Sequence, residues 1–147
     1  MPATMKNMYG NRVGISVSRA DLSEKVSVNL DIATLAQIDL LVDQGHYSNR
    51  SDFINQAIRQ TLENKNLLLD QAIKQVTRKN WFLGVYALTG EDLLAAQQSG
   101  EKLAISGYGL LLINEALDDL VLETVQDIQV HGKVKCSQRI REAYRLG

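Results

Sequence analysis

The chain has 147 residues, a net charge of −1 and 45% hydrophobic residues, enough for one ordinary domain or two small ones. The near-neutral balance gives no global basic field to attract nucleic acid or an anionic membrane, although phosphate contacts need only local charge and N–H donors. A single cysteine, Cys136, excludes an intrachain disulfide and fits a reducing, cytoplasmic setting.

The first residues, "MPATMKNMYGNRVG", lack an apolar run of the secretory kind, so no leader is expected. Apolar runs such as "GYGLLLI" are far shorter than a membrane span. His46 and His131 are widely separated and, with one cysteine, lack metal-ligand spacing, so no metal or cofactor is expected. No glycine-rich phosphate loop, Ser/His/Asp set or supported pair of catalytic carboxylates stands out, and no enzyme is expected. Glu115, Asp118 and Asp119 in "EALDDL" read as ordinary acidic partners of a helix start.

Residues 1–23 are polar, carry Pro2, Gly10 and Gly14, and read as a flexible N-terminal arm in which "GISVS" is at most a short strand. In "KVSVNLD", Val26, Val28 and Leu30 alternate with Lys25, Ser27 and Asn29, the period of a half-buried strand. "DIATLAQIDLLVDQG" then reads as a helix with Asp31 as N-cap, Leu35, Ile38, Leu41 and Val42 on one face, and Gly45 at a left-handed C-cap. Ser48 is the expected N-cap of a second helix striped by Ile54, Ala57, Ile58 and Leu62. That helix stops near residues 64–66 or runs on through "LLLDQAIKQVTRK", and the domain boundary is set near residue 66.

Beyond residue 80 the pattern is that of a compact α/β unit. "WFLGVYAL" reads as a strand, and "TGEDLLAAQQSG" as a helix between a Thr89/Asp92 capping pair and a Gly100 stop. "KLAISGYGLLLI" reads as a glycine-softened strand, "NEALDDLVLETVQD" as a helix, "IQVHGKVKC" as an alternating strand and "SQRIREAYRL" as a short basic helix. "ISGYGLLLI" and "IQVHGKVKC" resemble one another, but two copies do not make a repeat. Trp81, Phe82, Tyr86 and Tyr108 read as core first and as pocket lining second. Lys133, Lys135, Arg139, Arg141 and Arg145 read as a solvated face first and as a second phosphate-contacting surface after that.

A single strand cannot satisfy its own backbone groups, and a strand–helix–turn–helix of about forty residues buries too little to stand alone. Two copies solve both problems. Their strands pair antiparallel, Val26, Val28 and Leu30 form the dimer core under four helices, and Lys25, Ser27 and Asn29 project from a ribbon narrow enough for the major groove of B-DNA.

The stretch "KVSVNLDIATLAQIDLLVDQGHYSNRSDFINQAIRQTLE" resembles the ribbon-helix-helix group of DNA-binding proteins, the MetJ/Arc/CopG type, over about residues 24–63. Its most specific piece is Gly45, Tyr47, Ser48, Arg50 and Ser51 followed by Ile54 and Ala57. The resemblance implies base reading by Lys25, Ser27 and Asn29 and a phosphate clamp of Ser48, Asn49 and Arg50. The nickel-responsive relatives add a His-rich sensing domain, and this chain lacks those ligands.

The expected fold class is α+β. A flexible arm (1–23) precedes a ribbon-helix-helix DNA-binding and dimerisation domain (24–66) and a small α/β domain (67–147) for oligomerisation, ligand sensing or partner binding. The expected function is a sequence-specific transcriptional regulator, a repressor in the first instance, in the cytoplasm on the nucleoid. Its expected partners are double-stranded DNA, a second copy (up to a tetramer or higher), and a small molecule or protein at residues 67–147, with no membrane. Two alternatives stand beside this one. The first is an autoregulating antitoxin, although residues 67–147 are too apolar and periodic for the disordered tail such proteins use. The second is a partition or scaffold protein that polymerises through its C-terminal half.

Overall fold

A computed structural model of the chain describes residues 18–76 and 80–147. The suggested strand "GISVS", and the arm as far as residue 17, lie outside the described residues. The described residues divide into two compact units, one of Lys25–Val76 and one that joins residues 18–24 to residues 80–147.

The Lys25–Val76 unit is helical after its first residues. Asp31 caps α2 (Ile32–Asp43) by accepting from Thr34 N–H at 2.8 Å. Gly45 ends that helix at φ +81°, with Gly45 N–H donating to Val42 O and His46 N–H to Leu41 O. This is the paired closure that favours glycine just past a helix. α3 (Arg50–Asn64) breaks at Lys65 and the chain resumes at once as α4 (Asn66–Gln75), so helix continues past the boundary set near residue 66. Residues 25–30 belong to no helix and to no sheet formed by the described residues. Ile38, 4% exposed, is the one buried hydrophobic residue of this unit.

The second unit is three strands, each followed by a helix. β1 (Trp81–Ala87), β2 (Leu103–Leu112) and β3 (Val125–Lys135) form a parallel sheet in that order. α5 (Gly90–Ser99) follows β1. A 3₁₀ turn (Glu115–Leu117) and α6 (Asp118–Thr124) follow β2, and α7 (Gln138–Ala143) follows β3. Alternate strand residues Phe82, Tyr86, Ile105, Leu111 and Ile128 pack with Leu93, Val121 and Ile140 of the helices into one core. The other face carries a smaller cluster of Ala87, Leu110 and Leu112. Apolar residues on both faces are what a parallel sheet requires.

The register aligns Gly84, Gly109 and Gly132 in one row across the sheet. Their φ values of +112°, +125° and +144° suit glycine alone. A Cβ on Gly109 would lie 2.0 Å from Gly84 O, and one on Gly132 would lie 2.0 Å from Gly109 O. Five residues after each glycine stands a helix or 3₁₀ N-cap whose side chain accepts from the backbone: Thr89, Asn114 and Ser137. The two segments that resemble one another in sequence are therefore two of three structural copies, the third being "LGVYALT".

The arm expectation needs correction at its described end. Ser18 and Asp21 form a capping box that closes a helical turn, α1 (Arg19–Leu22). Asp21 Oδ2 then pairs with Lys135 Nζ at 2.9 Å, which ties the turn to β3. The four aromatic candidates also part company. Phe82 and Tyr86 stack in the core at 5.9 Å and Trp81 is buried, while Tyr108 is exposed on the opposite face and stacks on His131 at 4.7 Å. They do not share one face of the sheet.

Candidate nucleic-acid interface

Residues 25–30 follow an extended Ser23 (φ −128°, ψ 153°) and lead into the extended Asp31 cap (φ −67°, ψ 155°). Alternation along this segment places one set of side chains against the other. Val26 is 77% and Val28 72% exposed, which leaves their apolar surface in contact with water. Lys25, Ser27 and Asn29 are exposed as well. The lone chain thus presents both the apolar and the polar edge of the segment to solvent.

Two contacts fix the turn between α2 and α3. Arg50 makes a two-pronged pair with Asp39, Nε to Oδ1 at 2.7 Å and Nη2 to Oδ2 at 2.8 Å, which staples the start of α3 to α2. Each partner favours the charged form of the other, so the Asp39 carboxyl is held below its usual range and the Arg50 guanidinium above its own. Tyr47 and Phe53 pack edge to face at 4.9 Å on the same turn. Both groups of the ion pair are well exposed, so solvent screens it and its part is to orient the turn more than to stabilise it.

The N-terminus of α3 differs from expectation by one residue. Asn49, not Ser48, is the N-cap, and its Oδ1 accepts from Asp52 N–H at 2.8 Å. Asp52 Oδ2 accepts in turn from Ser48 N–H at 3.0 Å, and Gln56 donates to Oδ1 at 2.9 Å. These donors, Gln56 first, hold the Asp52 carboxyl below its usual range. The spacing Asn49-x-x-Asp52 carries the same signal as a capping box, and could have separated the two adjacent cap candidates. Within the helix, the first-turn amides of Arg50 and Ser51 have no carbonyl four residues back. Together with the positive end of the helix dipole they favour an anion. The resemblance implies Arg50 on that anion, and in the single chain its guanidinium is paired with Asp39.

The C-terminal basic cluster is divided. Arg139 pairs with Asp119 at 2.7 Å, whereas Lys133, Lys135 and Arg141 line one groove on the sheet.

The chain matches the family model described as the ribbon-helix-helix transcriptional regulator family over residues 21–141. No curated protein and no solved structure matches it. The match begins at the Asp21 turn and runs through the parallel sheet, so the second unit falls within the family's pattern and not outside it. The chain belongs to the ribbon-helix-helix transcriptional regulator family.

Proposed function

We propose that the protein is a sequence-specific transcriptional repressor that works as a homodimer or a pair of homodimers. Residues 25–30 of two chains pair antiparallel, and the ribbon enters the major groove with Lys25, Ser27 and Asn29 toward the bases. Lys donates to guanine O6 and N7, Asn bonds adenine at two points, and Ser donates or accepts. The observation that carries this reading is the exposed, unpaired segment whose Val26 and Val28 lie open beside three accessible polar residues. Membership of the regulator family supports it.

The start of α3 sets the ribbon on the duplex. Phosphate oxygens meet the amides at Arg50 and Ser51, with Ser48 and Asn49 flanking them, and these contacts fix register without reading sequence. Arg50 contributes mainly through the Asp39 staple, which holds the amides at the correct angle to the strand. The unit of residues 80–147, with its own core, is free to join dimers on adjacent sites or to sense a ligand.

The test is binding to DNA from upstream of the protein's own gene, against random DNA, at two salt concentrations. Wild type is expected to prefer the upstream DNA, with an affinity that falls as salt rises. The variant Lys25→Ala/Ser27→Ala/Asn29→Ala is expected to stay folded and dimeric and to lose that preference by about tenfold or more, given about 1–3 kcal/mol per good base contact. Equal preference in both proteins would reduce the strand to a dimer seam.

A further inference from the structure

Along β3, the outer strand of the sheet, Lys133, Lys135 and Arg141 line a groove of about 380 Å³. Its one lining carboxylate side chain is Asp21, which belongs to α1 and not to the sheet. Lys135 Nζ pairs with Asp21 Oδ2 at 2.9 Å, and Lys133 Nζ donates to the Ser23 carbonyl at 3.4 Å. Arg141 donates to the main-chain oxygens of Val134 and Gly147 at 2.8 and 2.7 Å. Glu24 lies in the adjoining groove beside His131 and Lys133. Lys133, Lys135 and Arg141 thus share the groove with one acidic side chain, which rides on a segment four residues ahead of Lys25.

We infer that this groove is a binding site for a small polyanion bearing phosphate or paired carboxylate groups, and that Asp21 is its built-in competitor. An anion with two or more charges meets Lys133, Lys135 and Arg141 together, where Asp21 offers one charge. The Asp21–Lys135 pair is part-exposed, and pairs of that kind are readily displaced. The volume is that of a small-molecule site and far too small for duplex DNA. Displacing Asp21 releases residues 18–24 from β3 and so frees the start of the segment at residues 25–30. This gives the regulator an effector input, and that regulatory half rests on the DNA-binding reading above. The anion site itself does not.

The first arm of the test uses the full chain without DNA, titrated calorimetrically with inorganic pyrophosphate against chloride of equal ionic strength. Wild type is expected to bind saturably. Asp21→Asn is expected to bind about fivefold tighter or more, and Lys133→Gln/Lys135→Gln about tenfold weaker or more, with helix content and oligomer mass unchanged. Equal binding by wild type and Asp21→Asn, unweakened binding by the lysine variant, or no saturation overturns the site. The second arm measures affinity for the upstream DNA with and without pyrophosphate. Pyrophosphate is expected to change wild-type affinity, Asp21→Asn to show the changed affinity without it, and the lysine variant to respond only as to salt. A saturable site with no effect on DNA affinity overturns the coupling. If no DNA binds, the DNA reading fails and the calorimetric arm still decides the site.

Discussion

The two units use similar helices to opposite ends. In residues 80–147, a row of strand residues and the helices after them bury Phe82, Leu88, Leu93, Leu111, Val121 and Ile140 almost completely. In residues 25–76, three helices bury Ile38 alone and leave Leu40, Ile58 and Leu62 more than half exposed. Backbone order costs about the same per residue in both units, so the second has no comparable gain from burial within one chain. One unit has a core of its own, and the other leaves most of its apolar side chains open within one chain. The lesson is that cap and turn chemistry define the shape of a small helical unit, while burial decides whether one chain is enough.

The largest test of this contrast is Phe82→Ala. It removes a ring that packs on Gly107, where even a Cβ would meet the ring at 2.4 Å, and is expected to cost about 3–5 kcal/mol in denaturant unfolding followed by Trp81 fluorescence. Oligomer mass set by residues 25–76 is expected to survive. Loss of both signals together would mean that the units do not stand apart. Next comes Gly109→Ala, which combines an unfavourable φ with a Cβ 2.0 Å from Gly84 O. It is expected to cost about 1–3 kcal/mol in the same assay, and an unchanged midpoint would refute the close approach of the glycine row.

Smaller effects sharpen the other side. Asn49→Ala removes the cap of α3 and is expected to lower the stability of the helical unit by about 1 kcal/mol, most of it restored by Asn49→Ser. Ser48→Ala should matter less, and the reverse order would return the cap to Ser48. The smallest effect is in acid. The Thr34 backbone and hydroxyl donors hold the Asp31 carboxyl below its usual range. A depressed carboxyl stabilises the fold above its unfolded value, and that contribution fades as pH falls through the folded value. Asp31→Asn is therefore expected to flatten the decline of α2 helicity from about pH 4 downward, measured by circular dichroism. A wild-type acid limb in that variant would deny the carboxylate its role.

Much of this was legible locally. Gly45, the Thr89/Asp92 pair and the Gly100 stop each declare themselves within five residues, because caps and turns are short-range chemistry. Residues 25–30 read as a half-buried strand, and in the single chain they stand exposed and outside the sheet. What escaped depends on register or distance. The third copy of the glycine unit hides because Tyr86 and Ala87 change its composition, and its meaning lies across strands, in Gly84 beside Gly109. Tyr108 left the aromatic group because Phe82 pairs with Gly107, which sets Tyr108 on the other face. Asp21 and Lys135 lie 114 residues apart, beyond any local pattern. The cap moved from Ser48 to Asn49 because adjacent residues of similar chemistry compete, and Asp52 sits at the right spacing only for Asn49.

The central claim is that a second copy completes the helical unit through residues 25–30. The most direct measurement mixes ¹³C-labelled and unlabelled chains by co-refolding and looks for nuclear Overhauser contacts between chains at Val26, Val28 and Leu30. The account predicts contacts between methyls of the labelled chain and those of its unlabelled partner, together with slowed exchange of the backbone amides along the segment. A monomer at the same concentration, or a dimer whose interchain contacts lie only on residues 80–147, would contradict it.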